Sequence, residues 1–209
     1  MDGFPILRKD GLDAPQRAFW DEVTLGPRGF FTGGAEARQL PDLYNAWLQF
    51  PEFGHTMLRL AGDIRGRTDL PGKLREMVII TTSVLLNCRV EYDFHSRFAR
   101  TEGLADAVIA AIGEGAPPPF ADEAERIVFA ANLELVRTAS LTEPLRQEVV
   151  RVIGHRGLMQ MIAVIGMYTM VSCTSNVAGV RLADDFSADA AKLDDFFRRD
   201  ADKSGPEPA

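Results

Sequence analysis

The sequence predicts an all-α, single-domain bundle of about eight helices packed on one core. Three observations carry this reading. Apolar residues recur with helical periodicity along most of the chain, strand-like alternation is nearly absent, and caps and glycine stops punctuate the periodic stretches at helix-length intervals. At 209 residues the chain can bury roughly 70% of the surface it exposes when unfolded, so it needs no disulfide or metal staple.

The first helix is expected over Pro15–Val23, with Asp13 as its cap and Pro15 in its first turn. The following LGPRGFFTGG holds four glycines and a proline and reads as a long irregular loop. Pro41–Gln49 gathers Leu40, Leu43, Tyr44, Trp47 and Leu48 on one face, and Pro51 marks its end. A further helix follows over Glu52–Asp63. From Pro71 the segment KLREMVIITTSVLLN is apolar enough for burial on most sides. The amphipathic CRVEYDFHSRFARTEG follows it and closes at Gly103. Helices are then expected over Leu104–Ile112, over Asp122–Thr138 after the turn GEGAPPP, and from a Thr142 cap to Ile153. A break at Gly154–Gly157 precedes the apolar helix Leu158–Ala178. A last helix over Ala188–Arg198, capped by Ser187, leads into the tail DKSGPEPA, expected to be disordered.

Net charge is −7 and the basic residues are scattered. Without a basic stripe to neutralise phosphates, nucleic acid is not an expected partner. Two cysteines, Cys88 and Cys173, do not make a disulfide framework, so a reducing cytoplasm is expected. The N-terminal MDGFPILRKDGLDAPQ lacks the apolar core of a signal peptide. Met159–Val180 is apolar but interrupted by Gln160, Thr169, Ser172, Thr174, Ser175 and Asn176. It is read as a buried helix, not a membrane span, because a span needs ~20 predominantly apolar residues. His55, after the FPEFG turn, and His155, in a Gly-flanked loop, have no partners at metal-ligand spacing, and no metal is predicted.

Chemistry concentrates between Glu76 and His95. At ~100° per residue, Cys88, Glu91 and His95 fall within about 60° of one another, with Tyr92 beside them. A thiol, a carboxylate and an imidazole on one face are residues used as nucleophile, acid or base. Glu76 lies twelve residues before Cys88, ~18 Å away on a continuous helix. The two meet only if the helix breaks and folds back, and Asn87 is the natural place for that. Cys88 would then sit at a helix N-terminus, whose dipole favours a thiolate, while Glu91 opposes it by like charge.

The frame Glu76-x11-Cys88-x2-Glu91-x3-His95 resembles the core of the carboxymuconolactone decarboxylase and AhpD-like alkylhydroperoxidase family. The peroxidase branch reads E-x11-C-x2-C-x3-H. Glu76, Cys88 and His95 stand in register with it, while Glu91 takes the place of the second cysteine and Val90 that of a frequent histidine. LYNAWLQFPEFG, LPGKLREMVIITTSVLLNC, LTEPLRQEVV and LMQMIAVIGMYTMVSCTSNVAGVRL resemble further segments of longer bacterial members. The resemblance implies an AhpD-like helical domain over residues 12–185, between an N-terminal arm (1–11) and a C-terminal helix with its tail (186–209). It also implies a cofactor-free enzyme of small molecules that assembles as a homo-oligomer, as a dimer, trimer or hexamer.

Disulfide cycling needs a second thiol, which Glu91 does not supply. The decarboxylase branch is therefore the better likeness, and a lyase acting on a small carboxylated lactone or keto acid is expected. Loss of carbon dioxide leaves a dienolate-like species that must be protonated on carbon. His95 is expected to be the acid, Glu76 or Glu91 to orient it, and Tyr92, Arg89 or Arg97 to hold the substrate. Two alternatives stay open. One is a redox protein using Cys88, alone or with Cys173; the other is a non-catalytic member whose Glu91 and His95 line a ligand pocket.

Overall fold

The computed structural model describes residues 3–66 and 69–181. The all-α prediction holds, with no strand among the described residues. The predicted last helix and tail, and with them the whole of segment 186–209, lie outside these residues. The chain divides into two compact units, Met1–Arg67 with Thr174–Ala209, and Thr68–Cys173.

In the first unit, α1 (Ala14–Leu25) begins at Asp13. The Asp13 carboxylate accepts from the Gln16 N–H, and the Gln16 side chain accepts from the Asp13 N–H, a reciprocal capping box. The stretch expected to be an irregular loop contains a one-turn helix, α2 (Gly29–Thr32). Gly33 closes it at φ +90°, donating its N–H to Gly29 O. Four residues are too few to express a helical period, which is why the sequence hides the turn. After α3 (Asp42–Leu48), α4 (Pro51–Gly66) starts at the proline itself. Residues 51–54 of FPEFG are therefore helical and only Phe50 bends, because proline suits a first helical turn where its missing N–H is not needed. His55 consequently lies on a helix, against Glu22 and edge-on to Phe19. α1 packs on α3 and α4, and Gly54 admits the buried Phe19 ring, which a Cβ there would meet at 2.6 Å. The N-terminal arm is tied down: Asn45 accepts from the Leu7 N–H (2.9 Å) and donates to Pro5 O (3.0 Å).

The second unit is built around α5 (Gly72–Leu85), which packs on α6 (Arg89–Thr101), α7 (Asp106–Glu114) and α8 (Glu123–Thr138). Every residue from Leu74 to Ser83 is buried, as the uniformly apolar stretch predicted. Among them are Thr82 and, on α8, Asn132. Thr82 Oγ1 donates to Asn132 Oδ1 (3.2 Å), and Asn132 Nδ2 donates to Val78 O (2.9 Å), so this buried amide is satisfied on both sides.

Asp122 caps α8 by accepting from the Ala124 N–H (2.8 Å) and also accepts from Lys73 Nζ (3.0 Å). Lys73 pairs with Glu125 as well (2.6 Å). The Lys73 hydrogen bond, then the cap, hold the Asp122 carboxyl below its ordinary range. A depressed folded value means that the stabilisation is fully present above the unfolded pKa of about 4 and is lost as pH falls toward the folded one. Acid unfolding of Asp122→Asn is therefore expected to be shallower than wild type below about pH 4, and identical slopes would refute the linkage.

α9 (Glu143–Ala178) is the two helices expected at the end of the domain, run end to end and parted at Gly154. The predicted four-residue break contracts to Gly154 (φ +69°, ψ 173°), a conformation open to glycine. His155 is thus exposed on helix, not in a loop. By length and composition α9 could cross a membrane. In this structure Met161, Val164, Met167, Tyr168 and Val171 are buried, while Met159, Ile162, Met170 and Val177 are exposed.

α5 and α6 are joined by only Leu86, Asn87 and Cys88. Asn87 takes a left-handed φ of +54°. Its N–H donates to Val84 O (3.1 Å) and the Cys88 N–H to Ser83 O (2.8 Å). This is a Schellman stop with asparagine in the position that usually takes glycine. Cys88 then serves as N-cap residue of α6, so the predicted break falls at Asn87. Asn87→Ala should cost about 1–2 kcal/mol through the left-handed backbone, whereas Asn87→Gly should be nearly neutral. Urea unfolding distinguishes them, and equal stability of the two variants would refute the assignment.

Candidate active site

Glu76 has no choice but to be inside, because α5 is covered on all sides and leaves it 0% exposed. The Asn87 reversal lays α6 back along α5, and the inward face of α6 carries Glu91 and His95, both buried. His95 Nδ1 lies 2.7 Å from Glu76 Oε2. The other Glu76 oxygen, Oε1, accepts from Arg75 Nε (3.3 Å), and Arg75 Nη2 reaches Glu102 Oε1 (3.3 Å). A buried carboxylate is tolerable only when its charge is compensated and its lone pairs are used. Arg75 and His95 do both for Glu76. An ionised Glu76 can only accept, so His95 carries its hydrogen on Nδ1 and presents Nε2 on the other side. There Glu91 Oε2 lies 3.7 Å away, an i, i+4 neighbour on α6. The imidazole is held among Phe94, Phe98 and Tyr168, with ring centroids 5.3, 5.5 and 4.9 Å away. Glu102–Arg75–Glu76–His95–Glu91 thus forms a chain of alternating charge-bearing groups, anchored outside at a half-exposed carboxylate.

The remaining predicted residues take other places. Cys88 is buried at the start of α6, Cys173 is exposed on α9, and no disulfide joins them. Tyr92 leans onto α7, where its hydroxyl donates to Ile109 O (3.0 Å) and its ring covers Gly113. Arg89 is exposed and pairs with Asp93 (2.8 Å), its guanidinium 5.1 Å from the Tyr92 ring. Arg97 is half-buried two residues beyond His95. The structure therefore brings together Glu76, Glu91 and His95, sends Tyr92 to the α6–α7 contact and leaves Arg89 at the surface. Among the described residues, no group of three or more His, Cys, Asp and Glu side chains is arranged to hold a metal ion.

The sequence from the start of α4 to the middle of α8, residues 51–133, matches the model of the carboxymuconolactone decarboxylase family. The matched segment contains Glu76, Cys88, Glu91 and His95, so the reversal at Asn87 and the Glu76–His95 pair are both within it. No curated protein matches the sequence. Three solved structures share the fold. One, described as an alkylhydroperoxidase AhpD core, is an uncharacterized peroxidase-related protein from Ralstonia eutropha JMP134. It is 15% identical with a TM-score of 0.67, over 88% of this chain and 93% of that one. A peroxidase-related protein from Silicibacter sp. TM1040 is 14% identical with a TM-score of 0.68, over 90% and 95%. A cysteine-to-alanine variant of the debrominase Bmp8, in complex with 2,3,4-tribromopyrrole, is 17% identical with a TM-score of 0.63, over 93% and 100%.

Two parts of the site, one within the matched segment and one beyond it, carry no signal in the sequence. Nothing in the sequence singles out Arg75 as the partner of Glu76, and the neighbouring cation Lys73 goes to Glu125 and Asp122 instead. Tyr168, on the C-terminal apolar helix, packs directly on the His95 ring. The arrangement supplies one nitrogen fixed by a charged partner and one nitrogen able to exchange a proton, in surroundings from which water is largely removed. That is the equipment of general acid–base catalysis.

Proposed function

We propose that this protein is an acid–base lyase that decarboxylates a small carboxylated lactone or keto acid without a cofactor. The Glu76–His95 contact at 2.7 Å supports this reading. In the reaction the bond from the substrate carbon to its carboxylate breaks, carbon dioxide leaves, and the electron pair passes into the adjacent carbonyl as an enolate. His95 delivers a proton from Nε2 to carbon. Glu76 holds Nδ1–H and offsets the imidazolium charge before transfer, and Arg75 keeps Glu76 charged and in place. Glu91, the most exposed of the three at 8%, stands where substrate would approach Nε2 and returns the proton afterwards. Incubating the purified protein with a panel of carboxylactones and β-keto acids tests this, with carbon dioxide release as readout. We expect turnover of at least one member, and none on the whole panel would sink the reading.

A second reading draws on Cys88, which occupies the N-cap position of α6, where a helix terminus favours a thiolate. It makes the protein a thiol-dependent, peroxidase-like enzyme. Iodoacetamide modification of Cys88 ahead of Cys173, despite its burial, would favour this reading, and modification of Cys173 alone would remove it.

We also propose that the protein forms homo-oligomers through α9. Met159, Ile162 and Met170 are exposed on it, and exposed apolar faces of this kind mark subunit contacts. Met170→Lys is expected to lower the oligomeric mass in light scattering while leaving helicity unchanged. An unaltered mass would place the contact elsewhere.

A further inference from the structure

A cavity of about 450 Å³ lies in the second unit, apart from the Glu76–His95 dyad. Its walls are Val84 and Leu85 from α5, Ile112 from α7, Phe129 and Leu133 from α8, and Phe120 from the turn between those two helices. Neither Glu76, Cys88, Glu91 nor His95 lines it. Such a volume is within the range of small-molecule sites, which are mostly apolar with few, specific polar groups.

Two polar residues line this one, Thr81 and Arg137, and the fold pairs neither side chain. Thr81 is 2% exposed, and its Oγ1 is buried without a hydrogen-bond partner. A buried hydroxyl left unsatisfied is costly, and nearly all such groups in folded proteins are paired. Arg137 is exposed in the last turn of α8, and among the described residues no carboxylate pairs with it. The axial offset between the two follows from their helices. Thr82 bonds Asn132 across α5 and α8 (3.2 Å), so Thr81 stands near the level of Asn132 and Leu133. Arg137 is four or five residues further along α8, about 6–8 Å. The cavity thus has Thr81 in its wall with an unsatisfied hydroxyl behind the surface, an apolar body around its middle, and an unpaired cation at its edge.

We propose that this cavity binds a small carboxylic acid with an aromatic or short aliphatic body and a hydrogen-bonding group at its far end. The carboxylate meets the Arg137 guanidinium, the body fills the space between Ile112, Phe129 and Leu133, and rotation of the Thr81 side chain brings its unsatisfied Oγ1 to the distal group. A para-substituted benzoate has this layout. The site differs in chemistry from the acid–base centre, because it has a cation and a hydroxyl but no group to move a proton at neutral pH.

The test uses 4-hydroxybenzoate as probe and 4-hydroxybenzamide as its neutral counterpart, followed by amide chemical shifts and calorimetry on the full chain. Saturable binding of the acid is expected, with shifts centred on Leu85, Ile112 and Leu133. The amide should bind about tenfold more weakly, and Arg137→Gln should weaken the acid by about the same factor. Thr81→Val should weaken 4-hydroxybenzoate more than benzoate, and Leu133→Trp, which fills the cavity, should abolish binding with helicity retained. The proposal is overturned if the acid does not bind at its solubility limit, or if shifts centre on His95. Equal binding to wild type, Arg137→Gln and Leu133→Trp would overturn it too. Because the readout is binding, lack of lyase turnover does not affect the outcome.

Discussion

His95→Ala is expected to lower turnover of any accepted substrate by roughly 10²–10⁴-fold, the range supplied by a positioned general acid. The loss is expected in kcat more than in KM, since His95 acts on a charge that develops only after carbon dioxide departs. Glu76→Gln separates orientation from presence. It leaves the imidazole in place but replaces an obligate acceptor by an amide that can also donate. In wild type the His95 hydrogen should sit on Nδ1, opposite Glu76 Oε2 at 2.7 Å. In Glu76→Gln it should redistribute toward Nε2, which nitrogen-15 chemical shifts of the ring report directly. Turnover should fall in that variant without loss of fold. A His95→Ala enzyme as fast as wild type would end the acid–base reading, and an unchanged tautomer in Glu76→Gln would show that Glu76 does not orient the ring.

The second large effect is on stability. Arg75→Met removes the cation 3.3 Å from a carboxylate that is 0% exposed. Breaking one side of a buried ion pair leaves an uncompensated charge and costs roughly 3–5 kcal/mol, far more than the pair itself contributes. For a chain of this size that corresponds to a drop of roughly 6–20 °C in apparent melting temperature. The same reasoning predicts rescue: Arg75→Met combined with Glu76→Gln should recover most of the loss, because no buried charge remains to be compensated. Additive losses in the double variant would mean that Arg75 stabilises by packing its stem and not by balancing Glu76.

Much of this site could be read without coordinates because its core is local. Cys88, Glu91 and His95 share a face by helical spacing alone. The reversal that returns them to Glu76 follows from an asparagine, which tolerates the left-handed backbone, at the end of an apolar run. What stayed hidden is of two kinds. Arg75 and Glu76 are adjacent in sequence, and adjacent residues on a helix point in different directions, so no periodic pattern announces their contact. Tyr168 is remote from His95 in sequence, and Thr81 from Arg137. Contacts of that sort arise from how helices pack, for which a single sequence carries no local signal. The one-turn helix at Gly29–Thr32 was missed for a third reason, since glycine and proline in that stretch signal a turn equally well when they frame a helix too short to show a period.

The connector of Leu86, Asn87 and Cys88 sets the phase of everything after it. One residue added there would rotate α6 by about 100° and advance it by ~1.5 Å, carrying His95 away from Glu76 while every side chain of the site remained present. Chemical identity at 88 and 91 can therefore be exchanged by point substitution within an intact frame, thiol for carboxylate or the reverse. The eighteen residues between Glu76 and His95 form a measuring rod that tolerates new markings but no change of length.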